Sequence, residues 1–243
     1  MWACQDSRVR LDMSEFNGVE SIKRLIGDTQ TLNPGILSTR IRENPYCLLL
    51  VDEFEKANAS VHNLFLQILD EGFLTDSFGK RVSFDNVIII ATSNAGAEYI
   101  RELVGVESQT WTNPKSHLQG STLSKSLVEF VLKQGLFTPE LINRFDGVIV
   151  YSPLTQEQAN EVTGLMLQRL AKNLKDSKNI TLEITPELSQ KVALLGFDPT
   201  LGARPIRRLI ADKLEDGIAK MIIGNLIKNG ETIPAATLLR FVE

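Results

Sequence analysis

Two adjacent carboxylates, Asp52 and Glu53, stand at the end of an unbroken apolar run, Cys47-Leu48-Leu49-Leu50-Val51. Such a run reads as a strand buried on both faces, as in a parallel α/β sheet. Ligands in such sheets bind beyond the carboxyl ends of the strands, where leaving a buried carboxylate unpaired is costly. The pair therefore calls for a partner, and Mg²⁺ with a phosphate is the usual one. Asp52 has the chemistry to hold the metal, and Glu53 to orient and deprotonate an attacking water. The plainer reading is a core strand whose last residues open an exposed turn.

Three further positions have residue types suited to a phosphate. A second apolar run, Val87–Ala91, ends in Thr92-Ser93-Asn94. Asn94 falls at the same edge of the sheet and could hydrogen-bond a γ-phosphate or hold water in line. Ser93 and Asn94 are equally good helix N-caps. Arg144 follows a short helical stretch, where it could stabilise charge on a transferring phosphoryl group as an arginine finger, or simply suit the helix dipole. Arg204, in Gly202-Ala203-Arg204-Pro205, opens a helix with Arg207 and Arg208 close behind. Cations in a first turn oppose the macrodipole unless an anion is near. The alternative is an arginine pointing outward to water.

The elements that must position these residues follow from the periodicity. Arg8–Leu11 reads as a short strand, 18–26 and 35–44 as short helices, and Tyr46–Val51 as the first strong strand. Ser60 is the expected cap of a helix with an apolar stripe at Val61, Leu64, Phe65, Ile68 and Leu69, closed by Gly72. Residues 73–84 suggest a hairpin around Ser77–Gly79. A strand at Asn86–Ala91, a helix at 95–104, a polar loop at 105–120, a helix at 122–134, a helix opened by Thr138-Pro139 and a strand at Val148–Tyr151 complete an alternating pattern. Pro153 marks the boundary between an α/β domain, 1–152, and a mostly helical domain, 153–243. In the latter, Thr155 and Gln158 have capping-box spacing for a helix to about residue 174. A strand at Thr181–Ile184, a helix from Thr185-Pro186 to Gly196, a long helix from about Ala203 to Gly224 and a strand at Thr237–Val242 follow.

Composition narrows the function classes. With 243 residues, 43% hydrophobic and 23% charged, the chain is of ordinary globular type. A net charge of −4 gives no basic excess for a nucleic-acid surface. The apolar runs are too short to span a bilayer, and residues 1–15 lack the pattern of a secretory signal, so neither nucleic acid nor membrane is an expected partner and a cytoplasmic setting fits. Cys4 and Cys47 are too few for a disulfide framework or zinc cluster. His62 and His117 share no ligand spacing with each other or with the cysteines. Both read as structural or exposed.

Taken in order, RLDMSEF (10–16), RLIG (24–27), LLLVDEFEKA (48–57), LQILDEGFLTD (66–76), NVIIIATSNAG (86–96), FTPELINRFD (137–146) and GFDPTLGARPIRR (196–208) resemble the C-terminal ATPase module of Clp-type AAA+ unfoldases, the ClpA/ClpB/ClpC group. The stretches are collinear and cover nearly the whole chain. The resemblance implies a three-layer α/β domain with a parallel sheet, a small helical lid domain, ATP and Mg²⁺ as cofactors, a hexameric ring, and unfolded or aggregated protein clients. By position Asp52 resembles the Mg²⁺-coordinating Walker B acid, Glu53 the catalytic glutamate and Asn94 the first sensor. Arg204 resembles the second sensor, and Arg144 the finger that acts on ATP held by a neighbouring subunit.

The pattern also breaks. No G-x-x-x-x-G-K-[ST] occurs anywhere, and Gly72–Lys80 imitates it poorly. By resemblance the phosphate-binding loop lies upstream of RLDMSEF, where residues 1–9 are too few for a strand, loop and helix. The expectation is a truncated chain or gene fragment with impaired nucleotide binding, its sheet lacking a middle strand. Gly27–Gly35 stands where the family has an aromatic pore loop, yet GDTQTLNPG has no aromatic residue. Val104-Gly105-Val106 is a degenerate form of the loop that docks a ClpP-like protease, which disfavours that partner. Two other classes compete with an ATPase module: a non-catalytic ring component offering Arg144 to a neighbour's ATP, and a DNA-acting AAA+ protein such as a clamp loader. The acidic balance and the LQILDEGFLTD and GARPIRR stretches disfavour the last.

Overall fold

The computed structural model describes residues 8–107 and 120–242, and the chain divides into two compact units, residues 1–150 and 151–243. In the first unit, β1 (Arg8–Asp12) leads through a 3₁₀ turn to α1 (Ser21–Ile26) and α2 (Ile36–Glu43). Then come β2 (Leu48–Asp52), α3 (Ala59–Glu71), the hairpin β3 (Phe73–Thr75) and β4 (Arg81–Ser83), and β5 (Ile88–Ala91). Helices α4 (Ala97–Glu107), α5 (Gly120–Lys133) and α6 (Pro139–Asn143) complete the unit. The His117 and Cys4 readings, and most of the 105–120 loop, lie outside the described residues. Residues 105–107, expected in that loop, instead continue α4, so Val104-Gly105-Val106 has a helical backbone.

A parallel sheet ordered β1-β2-β5 organises this unit. Its register sets Asp12 opposite Asp52 and Val51 opposite Ala91. Val9, Leu11, Leu49 and Val51 point to one face and are buried with Phe65, Ile68 and Leu25 in a common core. The other face differs from the expectation of burial on both sides. Arg8 and Arg10 are exposed, Leu48 and Leu50 half-buried, and Ile88 and Ile90 about half exposed. The helices of the described residues pack on one side only of the β2–β5 region, which leaves those apolar side chains open.

Two local expectations change. Asn58, not Ser60, caps α3, its side chain accepting from the Ser60 N–H at 3.0 Å. Asn58 reaches that position because a 3₁₀ turn at Phe54–Lys56 intervenes between strand and helix. Gly72 does end α3, with φ 70°. Residues 148–151 form no strand: Ile149 and Tyr151 are largely exposed, and no ladder partner lies beside them among the described residues. A strand needs that ladder to satisfy its backbone.

In the second unit the capping box of Thr155 and Gln158 opens α7 (Gln156–Lys178). β6 (Thr181–Leu182) and α8 (Pro186–Gly196) follow. The long helix is segmented into α9 (Arg204–Leu209), a π-helical turn at Ile210–Glu215 and α10 (Asp216–Ile223). The chain closes with β7 (Thr232–Ile233), parallel to β6, and α11 (Ala235–Val242). Helix α11 replaces the expected strand at 237–242. Ala235, Leu238 and Val242 fall on one helical face and are buried, so a period of 3.6 fits the core and a period of 2 does not.

One buried ion pair ties the hairpin to the helical layer. Asp76, fully buried, pairs with Arg42 of α2 at 2.8 Å and accepts the N–H groups of Phe78 and Lys80 at 2.9 and 2.8 Å. Burial pushes its carboxyl up, but the Lys80 and Phe78 N–H groups and Arg42 together leave it below the ordinary value. A depressed carboxyl stabilises the fold above the usual carboxylate range and loses that contribution as pH falls through its folded value. Asp76→Asn is expected to cost about 3 kcal/mol near neutral pH, the scale of a broken buried pair. The gap between wild type and variant should narrow on acidification below about pH 4, measured by urea unfolding at several pH values. A gap that stays constant down to pH 2 would refute it.

Candidate functional site

Parallel pairing of β2 with β5 brings the two polar edges together. Thr92 donates its N–H to the Val51 carbonyl at 2.8 Å, and its own carbonyl accepts from the Phe54 N–H at 2.9 Å. One residue past the ladder, Thr92 therefore faces Asp52. Its hydroxyl donates to Asp52 Oδ1, and Oγ1 also accepts from the Glu53 N–H at 3.3 Å. Arg10, from β1, donates from Nη2 to Asp52 Oδ2 at 2.5 Å. The Thr92 hydroxyl first, then the Arg10 guanidinium, hold the Asp52 carboxyl below the usual carboxylate range. Asp52 is thus an anion with both oxygens engaged.

Glu53 lies in the left-handed region, φ 54° and ψ 47°. A non-glycine residue there is uncommon, and strain of this kind concentrates at functional sites. The conformation turns the chain sharply off the strand and into the 3₁₀ turn. The Glu53 carboxylate pairs with Lys56 at 2.6 Å, which raises the lysine's proton affinity. Glu55, on the same turn, accepts the Asn94 backbone N–H on Oε1 at 3.1 Å. Asn94 is itself exposed, its carbonyl accepting from the Ala97 N–H at the start of α4.

Of the residues predicted from the sequence, Asp52, Glu53 and Asn94 therefore meet at one sheet edge. Arg144 does not join them. It ends α6, and its Nε pairs with Asp70 of α3 at 2.5 Å while the side chain stays half exposed. Arg204 belongs to the second unit, where it opens α9 and is exposed, as are Arg207 and Arg208. The sequence reading missed Thr92, Arg10, Lys56 and Glu55. Thr92 carried a signal, since a hydroxyl one step past a buried strand faces the end of its neighbour, but only a known register reveals it.

The donors at this edge are hard oxygens: the Asp52 carboxylate, the Thr92 hydroxyl and the Glu53 and Glu55 carboxylates. Glu55 Oε2 is buried without a hydrogen-bond partner. The described residues hold no group of three or more His, Cys, Asp or Glu side chains placed to bind a metal, but Mg²⁺ needs only one or two carboxylates and completes its shell with water and phosphate, so Asp52 fits it as a single ligand. A cleft of about 970 Å³ between α5 and Asp146–Val150 is lined mainly by other residues and does not include the carboxylates.

Residues 27–35, expected at the pore-loop position, form a closed turn. Asp28 and Asn33 exchange backbone hydrogen bonds at 2.8 and 3.0 Å. Gly35, with φ 80°, comes so close to Gly27 that a Cβ would sit 2.4 Å from the Gly27 nitrogen. His62 is structural: its Nε2 lies 2.9 Å from the Phe54 carbonyl oxygen. Cys47 is a buried core residue whose thiol burial pushes up.

The first unit is an α/β module with a parallel sheet and an acid pair at its carboxyl edge, and the second unit is mostly helical. Comparison with known families agrees. Residues 3–148 match the family model described as AAA domain (Cdc48 subfamily), and residues 154–235 match the C-terminal, D2-small domain of ClpB protein. The chain is 38% identical over 240 residues to the chloroplastic chaperone protein ClpB2 of Oryza sativa, covering 96% of this chain and 23% of the relative. It is 38% identical over 237 residues to the chaperone protein ClpB of Lactiplantibacillus plantarum, covering 96% and 26%. It is 37% identical over 229 residues to the ATP-dependent Clp protease ATP-binding subunit ClpE of Bacillus subtilis, covering 93% and 31%. The chain belongs to the Clp-type AAA+ chaperone family, and it spans about a quarter of the length of these relatives.

The Thr92 contact makes a specific claim about Asp52. Thr92→Val removes the hydroxyl and keeps the shape, so the Asp52 carboxyl should move back toward the ordinary value, while Thr92→Ser should leave it low. Carboxyl titration by NMR reads the difference. The lost hydrogen bond to a charged group should cost about 2 kcal/mol. An unmoved Asp52 titration in Thr92→Val would refute the contact.

Proposed function

We propose that the chain is an ATP-binding and ATP-hydrolysing module of a Clp-type unfoldase or disaggregase, working within a hexameric ring on unfolded or aggregated protein clients. The observation that carries this reading is the clip at the β2–β5 edge, where Asp52, Thr92 and the strained Glu53 converge. In this reading Asp52 holds Mg²⁺, Glu53 orients the attacking water and takes its proton, and Asn94 contacts the γ-phosphate or the water. Mg²⁺–ATP, when bound, would supply the phosphoryl group, and the metal's positive charge would be balanced by Asp52. Lys56 pairs with the Glu53 carboxylate at 2.6 Å and restricts where that side chain can point. Glu55, by fixing the Asn94 backbone, keeps the sensor at a set height above the acid pair. Arg204 acts as the second sensor from the lid domain. Arg144 acts in trans as the finger, its half-exposed guanidinium released from Asp70 when a neighbour's nucleotide arrives.

The 243 residues contain no G-x-x-x-x-G-K-[ST], which supports weak nucleotide binding by this chain on its own. The same fact favours a second reading, a ring component that supplies Arg144 to a neighbour's site without turning over ATP itself.

The two readings separate in one pair of experiments. A phosphate-binding strand, loop and helix from a ClpB relative is joined upstream of Arg8. The hybrid should hydrolyse ATP, and Glu53→Gln in it should keep ATP binding while lowering kcat about 100-fold or more. Normal turnover by the Glu53→Gln form would sink the catalytic reading. The chain as it stands is then mixed with an intact ClpB relative. A rate change that Arg144→Ala abolishes supports a finger in trans, and no Arg144-dependent change removes the second reading.

A further inference from the structure

Asp52 has one neutral partner and one charged one. Thr92 belongs to the strand clip, and its hydroxyl follows the ladder. Arg10 is different. Strand alternation and the Asp12–Asp52 register put Arg10, Asp12, Asp52 and Thr92 on the same, open face of the sheet. From beside Leu50, the Arg10 side chain reaches forward along the strand to Asp52 Oδ2. Its backbone is held from α2, where Arg40 donates to the Arg10 carbonyl at 3.0 Å. Its side chain is 65% exposed. The backbone is anchored while the guanidinium can leave at the small cost of a water-facing ion pair.

A divalent cation bound through Asp52 needs a carboxylate oxygen, and Oδ2 is the one that Arg10 holds. A guanidinium and a metal ion cannot share that oxygen without strong like-charge repulsion. We infer that Arg10 is a positioning residue that occupies Asp52 Oδ2 in the metal-free protein and yields it to a divalent cation. This rests on the reading of Asp52 as a metal ligand. Arg10 keeps the carboxylate oriented until the metal arrives. On release, its guanidinium has a second carboxylate within the same strand, Asp12, which stands one strand over from Asp52 at equal register. Asp12 is already fixed by the Ser14 N–H and hydroxyl on Oδ1, at 3.0 and 2.6 Å. The exchange is therefore one cation for another at Asp52, with Asp12 receiving the displaced charge.

Mn²⁺ titration of the full chain without nucleotide, followed by electron paramagnetic resonance, tests this. Arg10→Gln should bind Mn²⁺ about fivefold tighter than wild type, the factor set by loss of a water-facing ion pair. Arg8→Gln removes an equal charge from the same strand face without touching Asp52, and should change the affinity little. Asp52→Asn in the Arg10→Gln background should abolish the gain. Equal or weaker binding by Arg10→Gln overturns the proposal. An equal gain in Arg8→Gln also overturns it, because the effect would then be that of a distant charge. Undiminished Mn²⁺ binding in Asp52→Asn instead removes the metal reading of Asp52 on which the inference stands. A second measurement needs no variant: saturating Mg²⁺ should shift the Arg10 Nε–H resonance of the wild-type chain, and an unmoved resonance overturns the exchange.

Discussion

The register between β2 and β5 is the constraint on which the rest of the first unit depends. Val51 opposite Ala91 sends the next residue of each strand, Asp52 and Thr92, to the same height on the same face. A slip of one residue would point Thr92 into the core and move Ile89 and Ala91 out of it. The buried side of the sheet therefore enforces the site: Leu49, Val51 and Ile89 must face the helices, so Asp52 and Thr92 must face away. Packing energy of the order of 2 kcal/mol for each buried aliphatic side chain holds a geometry that a few polar contacts could not hold alone.

Past the ladder, the two chains part by different means. After β2 the left-handed Glu53 breaks the strand abruptly, and Phe54 turns into the core against Phe65, Phe137 and His62. That aromatic cluster offsets the strain of the turn, which is worth about 1–3 kcal/mol for a non-glycine residue in such a region. After β5 the chain is held by polar contacts, Glu55 to Asn94 and Ser93 to Ala95, and by packing of Ala95 against the core.

Much of this was legible in the sequence, and the rest was lost for identifiable reasons. The apolar runs before Asp52 and before Thr92 marked the strands, and Thr155-Gln158, Thr138-Pro139 and Gly72 marked helix ends, because each signal is local. What failed depended on partners distant in the chain. Val148–Tyr151 has strand composition but finds no ladder among the described residues. Residues 237–242 have an apolar pattern that either period could fit, and the second unit's core selected the helix. The Arg10 and Thr92 contacts with Asp52 depend on strand register, which the sequence alone does not reveal, and the Lys56 pair with Glu53, three residues apart, depends on a tight turn. Arg144 was legible as a candidate finger, but its partner Asp70, on a helix far earlier in the sequence, was not.

The sheet's open face connects fold and chemistry. On β1 that face carries Arg8 and Arg10, suited to water. On β2 and β5 it carries Leu48, Leu50, Ile88 and Ile90, suited to a second packed layer. Parallel strands of this composition ordinarily have both faces covered. The same alternation that exposes these four residues also directs Asp52 and Thr92 to this side. A layer over Leu50 and Ile90 would therefore stand directly beside the acid edge and exclude water from it. Exclusion of water strengthens each charge interaction there, because the effective dielectric falls. On the proposed reading of Asp52 as a metal ligand, its hold on a metal would depend on coverage of the apolar face as well as on the acid itself. With that face open, the Arg10 ion pair is the form of Asp52 best suited to a solvated edge.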